Sequence, residues 1–270
     1  MNSSALVTAV IPSYNHAKYI KESIQSMLDQ DYENMEMIII DDGSSDNSIE
    51  IIESMIPLCK KRFKRFEFRH RENKGVSATL NEGIMWSKGK YLSPLASDDI
   101  ALSHKTSFLI DKIENSNYPA VFGDIKRIGE RNDKEPNIKE FTIHTFDEIF
   151  TLQNRPFAPS SMYKIEALKK IGGYPVDIAV EDWYMELKFT ENNNKIVSYP
   201  EVLTYYRRHE KNTSKNYELI YNNFIKIVDN YKNHKLYFKA RKLCDIYLIK
   251  ISLANNCLSP TLNMKIDKII

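Results

Sequence analysis

The first hundred residues of this chain predict an α/β architecture built on a parallel sheet. Three features carry that expectation. Short apolar runs alternate with helically spaced segments in β-α-β-α-β-α-β order. Met35 to Ile40 is nearly continuous apolar sequence, as in strands buried on both faces of a parallel sheet. A polar loop follows each of the four expected strands: Pro12-Ser13-Tyr14-Asn15, Asp41-Asp42-Gly43-Ser44-Ser45-Asp46, Asn73-Lys74-Gly75 and Ser97-Asp98-Asp99. Right-handed crossovers bring such loops to one edge of the sheet, where open α/β folds hold ligands.

Taken in order, Leu6 to Ile11 reads as a strand broken by Pro12, and Ala17 to Gln30 has helical spacing through Ile20, Ile24, Met27 and Leu28. Ser48 to Met55 reads as a second helix, Phe63 to His70 as a third strand, Val76 to Ser87 as a third helix and Tyr91 to Ala96 as a fourth strand. The rhythm then changes. Thr106 to Glu114 reads as helix, Ala120 to Ile128 as strand and Gly129 to Glu140 as a polar loop. Short helices are expected at Phe146 to Phe150 and Ile165 to Ile171, around an irregular stretch from Asn154 to Ser160. Glu181 to Glu191 is expected to be a helix, followed by strands at Lys195 to Tyr199 and Val202 to Tyr206. From Tyr217 the chain reads as helical. The expected organisation is a first half over 1–105, a second half of the same domain over 106–215, and a helical extension over 216–270.

Composition narrows the function. The chain has 270 residues, 42% hydrophobic and 27% charged, and a net charge of +2, which makes no global case for nucleic-acid binding. Its three cysteines, Cys59, Cys244 and Cys257, are too scattered for a disulfide framework or zinc cluster and fit a reducing cytosol. No basic-then-apolar leader and no run of about 18 apolar residues is visible, so a cytoplasmic placement is expected.

Adjacent carboxylates at the exit of a buried strand, as in Asp98-Asp99, call for a positive partner. Hard divalent cations take oxygen ligands and commonly reach an enzyme with a substrate's phosphates. Singly, the other loops have ordinary readings, since Asp42-Gly43-Ser44 makes a good turn and helix N-cap and Asn73-Lys74-Gly75 a plausible turn. Their convergence on one sheet edge favours a ligand.

The ordered set Val10-Ile11-Pro12-Ser13-Tyr14-Asn15, Ile40-Asp41-Asp42-Gly43-Ser44-Ser45-Asp46, Asn73-Lys74-Gly75 with Asn81, Gly89-Lys90-Tyr91 and Asp98-Asp99 resembles the nucleotide half of family 2 inverting glycosyltransferases with the GT-A fold. The resemblance continues through Ile171-Gly172-Gly173-Tyr174, Glu181-Asp182-Trp183 and Tyr206-Arg207-Arg208-His209, and so spans roughly residues 6 to 214. It implies a Rossmann-like mixed sheet flanked by helices, with 1–105 as the nucleotide-sugar-binding half, 106–215 as the acceptor-binding and catalytic half of the same domain, and 216–270 as a helical C-terminal extension. Pro12 and Tyr14 would line the base pocket, Asp42 would accept from a uracil ring, and Asn73 and Gly75 would complete the nucleotide site. Asp98 and Asp99 would hold ribose and metal-diphosphate, with His209 reaching the same Mn²⁺ or Mg²⁺.

Two departures stand out: Ala96 replaces the first Asp of an Asp-x-Asp-Asp pattern, and Leu80 stands where an Arg often precedes Asn81. Lys74 or Lys90 could supply the missing cation.

On spacing alone, Glu181-Asp182 reads as an acid pair complementing a helix dipole. The resemblance instead makes Asp182 the general base on the acceptor hydroxyl, with Glu181 supporting acceptor or loop. Trp183 could offer a sugar-stacking face or fill the core. Lysines and aromatics interleave between Lys211 and Lys250, which suits a solvated helical cap, a homodimer interface, or peripheral contact with an anionic membrane carrying a polyprenyl-diphosphate-linked saccharide. The favoured function is transfer from a UDP-sugar to a hydroxyl of such an acceptor in bacterial surface glycan synthesis, of the O-antigen or capsule kind. The alternatives are a nucleotidyltransferase, for which residues 12 to 19 lack a glycine-rich loop, and a non-catalytic sugar-nucleotide or glycan-binding module.

Overall fold

The computed structural model describes residues 5–129 and 138–254. Four parallel strands, β1 (Val7–Ser13), β2 (Met35–Asp41), β3 (Phe66–His70) and β4 (Tyr91–Pro94), are joined by helices α1 (Ile20–Leu28), α2 (Ser48–Arg62) and α3 (Val76–Trp86). The chain continues through β5 (Ile100–Ala101), α4 (Lys105–Glu114), β6 (Ala120–Gly129), β7 (Thr142–His144), α5 (Phe146–Phe150), β8 (Ser161–Lys164) and α6 (Ile165–Lys170). It ends in α7 (Glu181–Thr190), β9 (Ile196–Arg208), α8 (Tyr217–Asp229) and α9 (Tyr237–Ala254). The sheet runs β3-β2-β1-β4-β8-β6-β9-β5, with β7 paired to β9. It becomes mixed at β8, which is antiparallel to both β4 and β6.

Two cores flank this sheet. Val7, Ala9 and Ile11 of β1 and Met35, Met37 and Ile39 of β2 pack under α1, α2 and α4. The alternate residues Val10, Ile38 and Ile40 pack under α3 and α5 to α9. All seven β2 positions are buried, as expected of a strand covered on both faces.

Several boundaries moved for identifiable reasons. β1 runs through Pro12 to Ser13. In a parallel strand alternate residues face the same neighbour, and Val10 accepts from Leu95 N–H on the β4 side. Pro12 faces that same side where β4 has already ended at Pro94, so its missing N–H breaks no ladder bond. α2 continues seven residues past Met55 through Pro57, because Ile52, Met55 and Cys59 stay buried and Arg62 donates to the carbonyls of Leu28, Gln30 and Tyr32. The third strand starts three residues later than expected, because Phe63 to Arg65 form the bend that follows α2. The two strands expected around Pro200 are one, β9, with the register against β6 slipping between Phe122 and Asp124. Strands β5, β7 and β8 span two to four residues and were absent from the sequence reading, being too short to show a period. Most of the expected polar loop at 129–140, and the helical reading beyond residue 254, lie outside the described residues.

Candidate active site

The loops leaving β1, β2 and β3 interlock. Asn15 adopts a left-handed backbone (φ 54°). Its N–H donates to Ser44 Oγ and its Oδ1 accepts from Ser45 N–H, both at 2.8 Å. Asp41 is buried and accepts from Ser13 Oγ and from the amide and hydroxyl of Ser44. Asp42, only 4% exposed, accepts the Lys74 and Gly75 amides at 2.8 Å each and the Arg71 guanidinium. Gly43 has φ +83°, and a Cβ there would come within 2.9 Å of Asn73 N, so the second and third loops must pack this closely. Half-buried Pro12, the half-exposed Tyr14 ring and exposed Asn73 rim the resulting edge.

Arg71, missed in the sequence, is the cation of this region. It also donates to Glu82 Oε2 at 2.9 Å and Thr79 Oγ1 at 3.0 Å. A basic residue one position beyond β3, opposite Asp42, was the available signal. Neither expected substitute takes that place. Lys90 lies at the amino end of β4, with its ammonium 3.6 Å from Glu114, while Lys74 contributes its backbone amide to Asp42. Leu80 is core.

The acid pair after β4 divides. Asp98 Oδ2 lies 2.9 Å from His209 Nε2 and 3.9 Å from His16 Nε2, and the ligand atoms of these three residues all fall within 4.8 Å of one another. Burial lowers the His16 pKa, which favours the neutral imidazole that metals require. Asp99 turns inward: Oδ1 accepts Arg207 N–H at 2.8 Å, whereas Oδ2 is buried without a hydrogen-bond partner. Burial, and then the Asp98 charge, push the Asp99 pKa well above the usual carboxylate range. Fully buried Lys105 donates to Pro159 O at 2.8 Å, and burial pulls its pKa down to about 8 against the attraction of Asp99. Of the expected metal set Asp98, Asp99 and His209, the structure brings Asp98 and His209 together beside His16, while Asp99 directs one carboxylate oxygen to the backbone of β9.

Topology brings His209 there. β5 pairs antiparallel with β9 through Ile100 and Tyr205, which draws Arg207 and His209 back over the Asp98 loop. The Arg207 guanidinium then lies 4.9 Å from the Tyr19 ring centroid, and the same ring stacks on His209 at 4.9 Å.

The second acid pair opens α7. Asp182 Oδ2 accepts from Arg155 at 3.1 Å, and Arg155 also donates to Glu186 at 2.7 and 3.0 Å. Burial works against the Arg155 charge, but Glu186 and Asp182 outweigh it and raise its pKa. Burial lifts Glu186 to about 7, and burial together with Asp182 lifts Glu181 to about 8. Arg155 and Glu186 were not singled out in the sequence; an Arg in the irregular 154–160 loop and an acid one turn after Asp182 were the traces. The Asp182 side chain remains 41% exposed. Trp183 offers no stacking face to an acceptor: its side chain is fully buried, packs on Phe224 and donates to Ile149 O at 2.9 Å. The 154–160 loop links the two pairs, with Arg155 holding Asp182 and Pro159 O receiving Lys105 beside Asp99.

Comparison with known proteins bears on the family and the fold. The model of glycosyl transferase family 2 matches residues 8–172, and the chain belongs to that family. An uncharacterized glycosyltransferase of Rickettsia bellii is 31% identical over 192 residues, covering 70% of this chain and 27% of the relative. Glycosyltransferase GlyG of Streptococcus pneumoniae is 36% identical over 122 residues, covering 45% of this chain and 39% of the relative. The chain therefore spans well under half the length of these curated relatives. Among solved structures, S. aureus TarS 1-349 in complex with UDP-GlcNAc superposes with a TM-score of 0.68 at 21% identity, over 91% of this chain and 71% of that one. The mannosyltransferase PcManGT from Pyrobaculum calidifontis, in complex with GDP-Man and Mn²⁺, gives 0.67 at 13% identity, over 97% and 78%. The fold is GT-A.

Proposed function

We propose that the protein is an inverting glycosyltransferase that moves a sugar from a UDP-sugar to a saccharide hydroxyl, with a divalent cation at Asp98 and His209. The observation that carries this reading is the joint placement of a nucleotide-type loop edge, a His-Asp-His cluster and a solvent-reachable Asp182 on a family 2 scaffold. The UDP-GlcNAc complex of TarS supports a uridine donor.

The base would lie against Tyr14 and Pro12. Asp42 Oδ2, which accepts only Gly75 N–H among the described bonds, has lone-pair capacity for a ring N–H. Asp182 would take the proton of the acceptor hydroxyl as it attacks, with Arg155 fixing the carboxylate's direction. Glu181 would support the acceptor side, and Asp99 would hold the β9 end that presents His209. A divalent cation bound there would stabilise charge on the departing diphosphate.

No helix among the described residues is long and apolar enough to cross a membrane. A lipid-linked acceptor is supported by the start of α9, where Phe238 is 83% exposed and Lys239 and Lys242 are exposed nearby.

Calorimetric titration with UDP, GDP, CMP and dTDP, each with Mn²⁺ and with EDTA, tests the reading. Selective, Mn²⁺-dependent binding of UDP is expected; binding of none of them would overturn it.

A further inference from the structure

We propose that His16 is a third protein ligand of the cation, making this a two-imidazole, one-carboxylate centre that prefers Mn²⁺ to Mg²⁺. The inference rests on the metal reading above and goes beyond it. His16 sits in the turn between β1 and α1, between the Pro12-Ser13-Tyr14-Asn15 loop and the helical spacing that begins at Ala17, and the sequence alone gives it no role.

Three observations converge on it. First, the ring is held by its other nitrogen: Nδ1 is 2.7 Å from Ser97 Oγ. With the proton on Nδ1, donated to that hydroxyl, the Nε2 lone pair is free, which is the outer-shell arrangement typical of ligating histidines. Second, Nε2 points at Asp98 Oδ2 from 3.9 Å, too far for a hydrogen bond, while His209 Nε2 lies 2.9 Å from the same oxygen. Ligand atoms on adjacent corners of an octahedral site are about 3 Å apart and those on opposite corners about 4 Å, so both separations suit a shared ion. Third, the imidazoles are fixed by their surroundings. His16 packs edge-to-face on His209 at 5.5 Å, His209 stacks on Tyr19, and the His16 amide is anchored to Ser48 Oγ at 3.0 Å.

Donor chemistry then sets the preference. Mg²⁺ favours oxygen ligands and retains water, whereas imidazole raises affinity for first-row transition ions. Ala96, two residues before Asp98, brings no oxygen donor on its side chain, which gives the nitrogen pair more weight.

The test is Mn²⁺ titration of the full chain with saturating UDP, following free Mn²⁺ by electron paramagnetic resonance and repeating with Mg²⁺ as competitor. Wild type should prefer Mn²⁺, His16→Gln should lose at least about tenfold in Mn²⁺ affinity with much of that preference, and His16→Asp should shift selectivity toward Mg²⁺. Pulsed resonance on the wild-type Mn²⁺ complex should show nitrogen couplings from two imidazoles, a readout that needs no variant to fold. Coupling to one imidazole, with His16→Gln binding Mn²⁺ normally and Asp98→Ala not binding, would overturn the role of His16 and leave the metal site standing. Undiminished Mn²⁺ binding by Asp98→Ala would overturn the site itself.

Discussion

Asp98-Asp99 and Glu181-Asp182 are two acid pairs with a common division and different support. In each, the two carboxylates have different surroundings. Asp98 meets two imidazoles while Asp99 accepts the Arg207 amide. Asp182 stays 41% exposed while burial and Asp182 lift Glu181 to about 8. The first pair is positioned by backbone pairing between β5 and β9, at Ile100 with Tyr205 and Ala101 with Thr204. In the second, Asp182 Oδ1 accepts the Trp183 amide and Oδ2 accepts Arg155, which joins it to the buried Glu186. Backbone-borne geometry tolerates single substitutions better than geometry that a guanidinium completes, so the Asp182 site should be the more fragile of the two.

The largest effect should come from Asp182→Asn. Loss of a positioned base lowers kcat by about 10²–10⁴-fold, read in a UDP-release assay, with acceptor KM little changed. Arg155→Met should lower kcat about 10²-fold by freeing Asp182. It should also destabilise the fold by about 3–5 kcal/mol through the stranded Glu186, read by denaturant unfolding. Adding Glu186→Gln should restore stability without restoring kcat, which separates the two roles of Arg155.

Glu181 sharpens the contrast through pH. Its ordinary pKa of 4.5 rises to about 8 and that of Glu186 to about 7, so between those values the folded protein holds protons that the unfolded chain releases. Stability should therefore fall as pH rises through that window. Glu181→Gln removes one such group, and its melting temperature relative to wild type should rise between about pH 5 and about pH 8. The smallest effect belongs to Trp183→Phe. It should cost about 1–3 kcal/mol of stability by unpairing the Ile149 carbonyl and leave acceptor KM unchanged.

The sheet and its loop edge were legible in the sequence because parallel strands carry period and composition, as the fully buried β2 shows. The short strands β5, β7 and β8 carry neither, yet β5 is what delivers His209 to Asp98. Doublets of acids were equally visible, but their direction was not. Which member faces the site depends on partners distant in sequence, such as Arg207 for Asp99 and Arg155 for Asp182. Trp183 and His16 fail for the same reason in opposite senses. One adjoins a candidate base and is buried, and the other lies in an unremarked turn and points at Asp98.

Parallel UDP titrations of wild type, Asp98→Ala and Asp182→Asn in Mn²⁺ test this division most directly. Asp182→Asn should bind UDP as wild type does, while Asp98→Ala should lose the Mn²⁺-dependent part of the affinity. Equal losses in both variants would contradict the assignment of one acid pair to the nucleotide and the other to the acceptor.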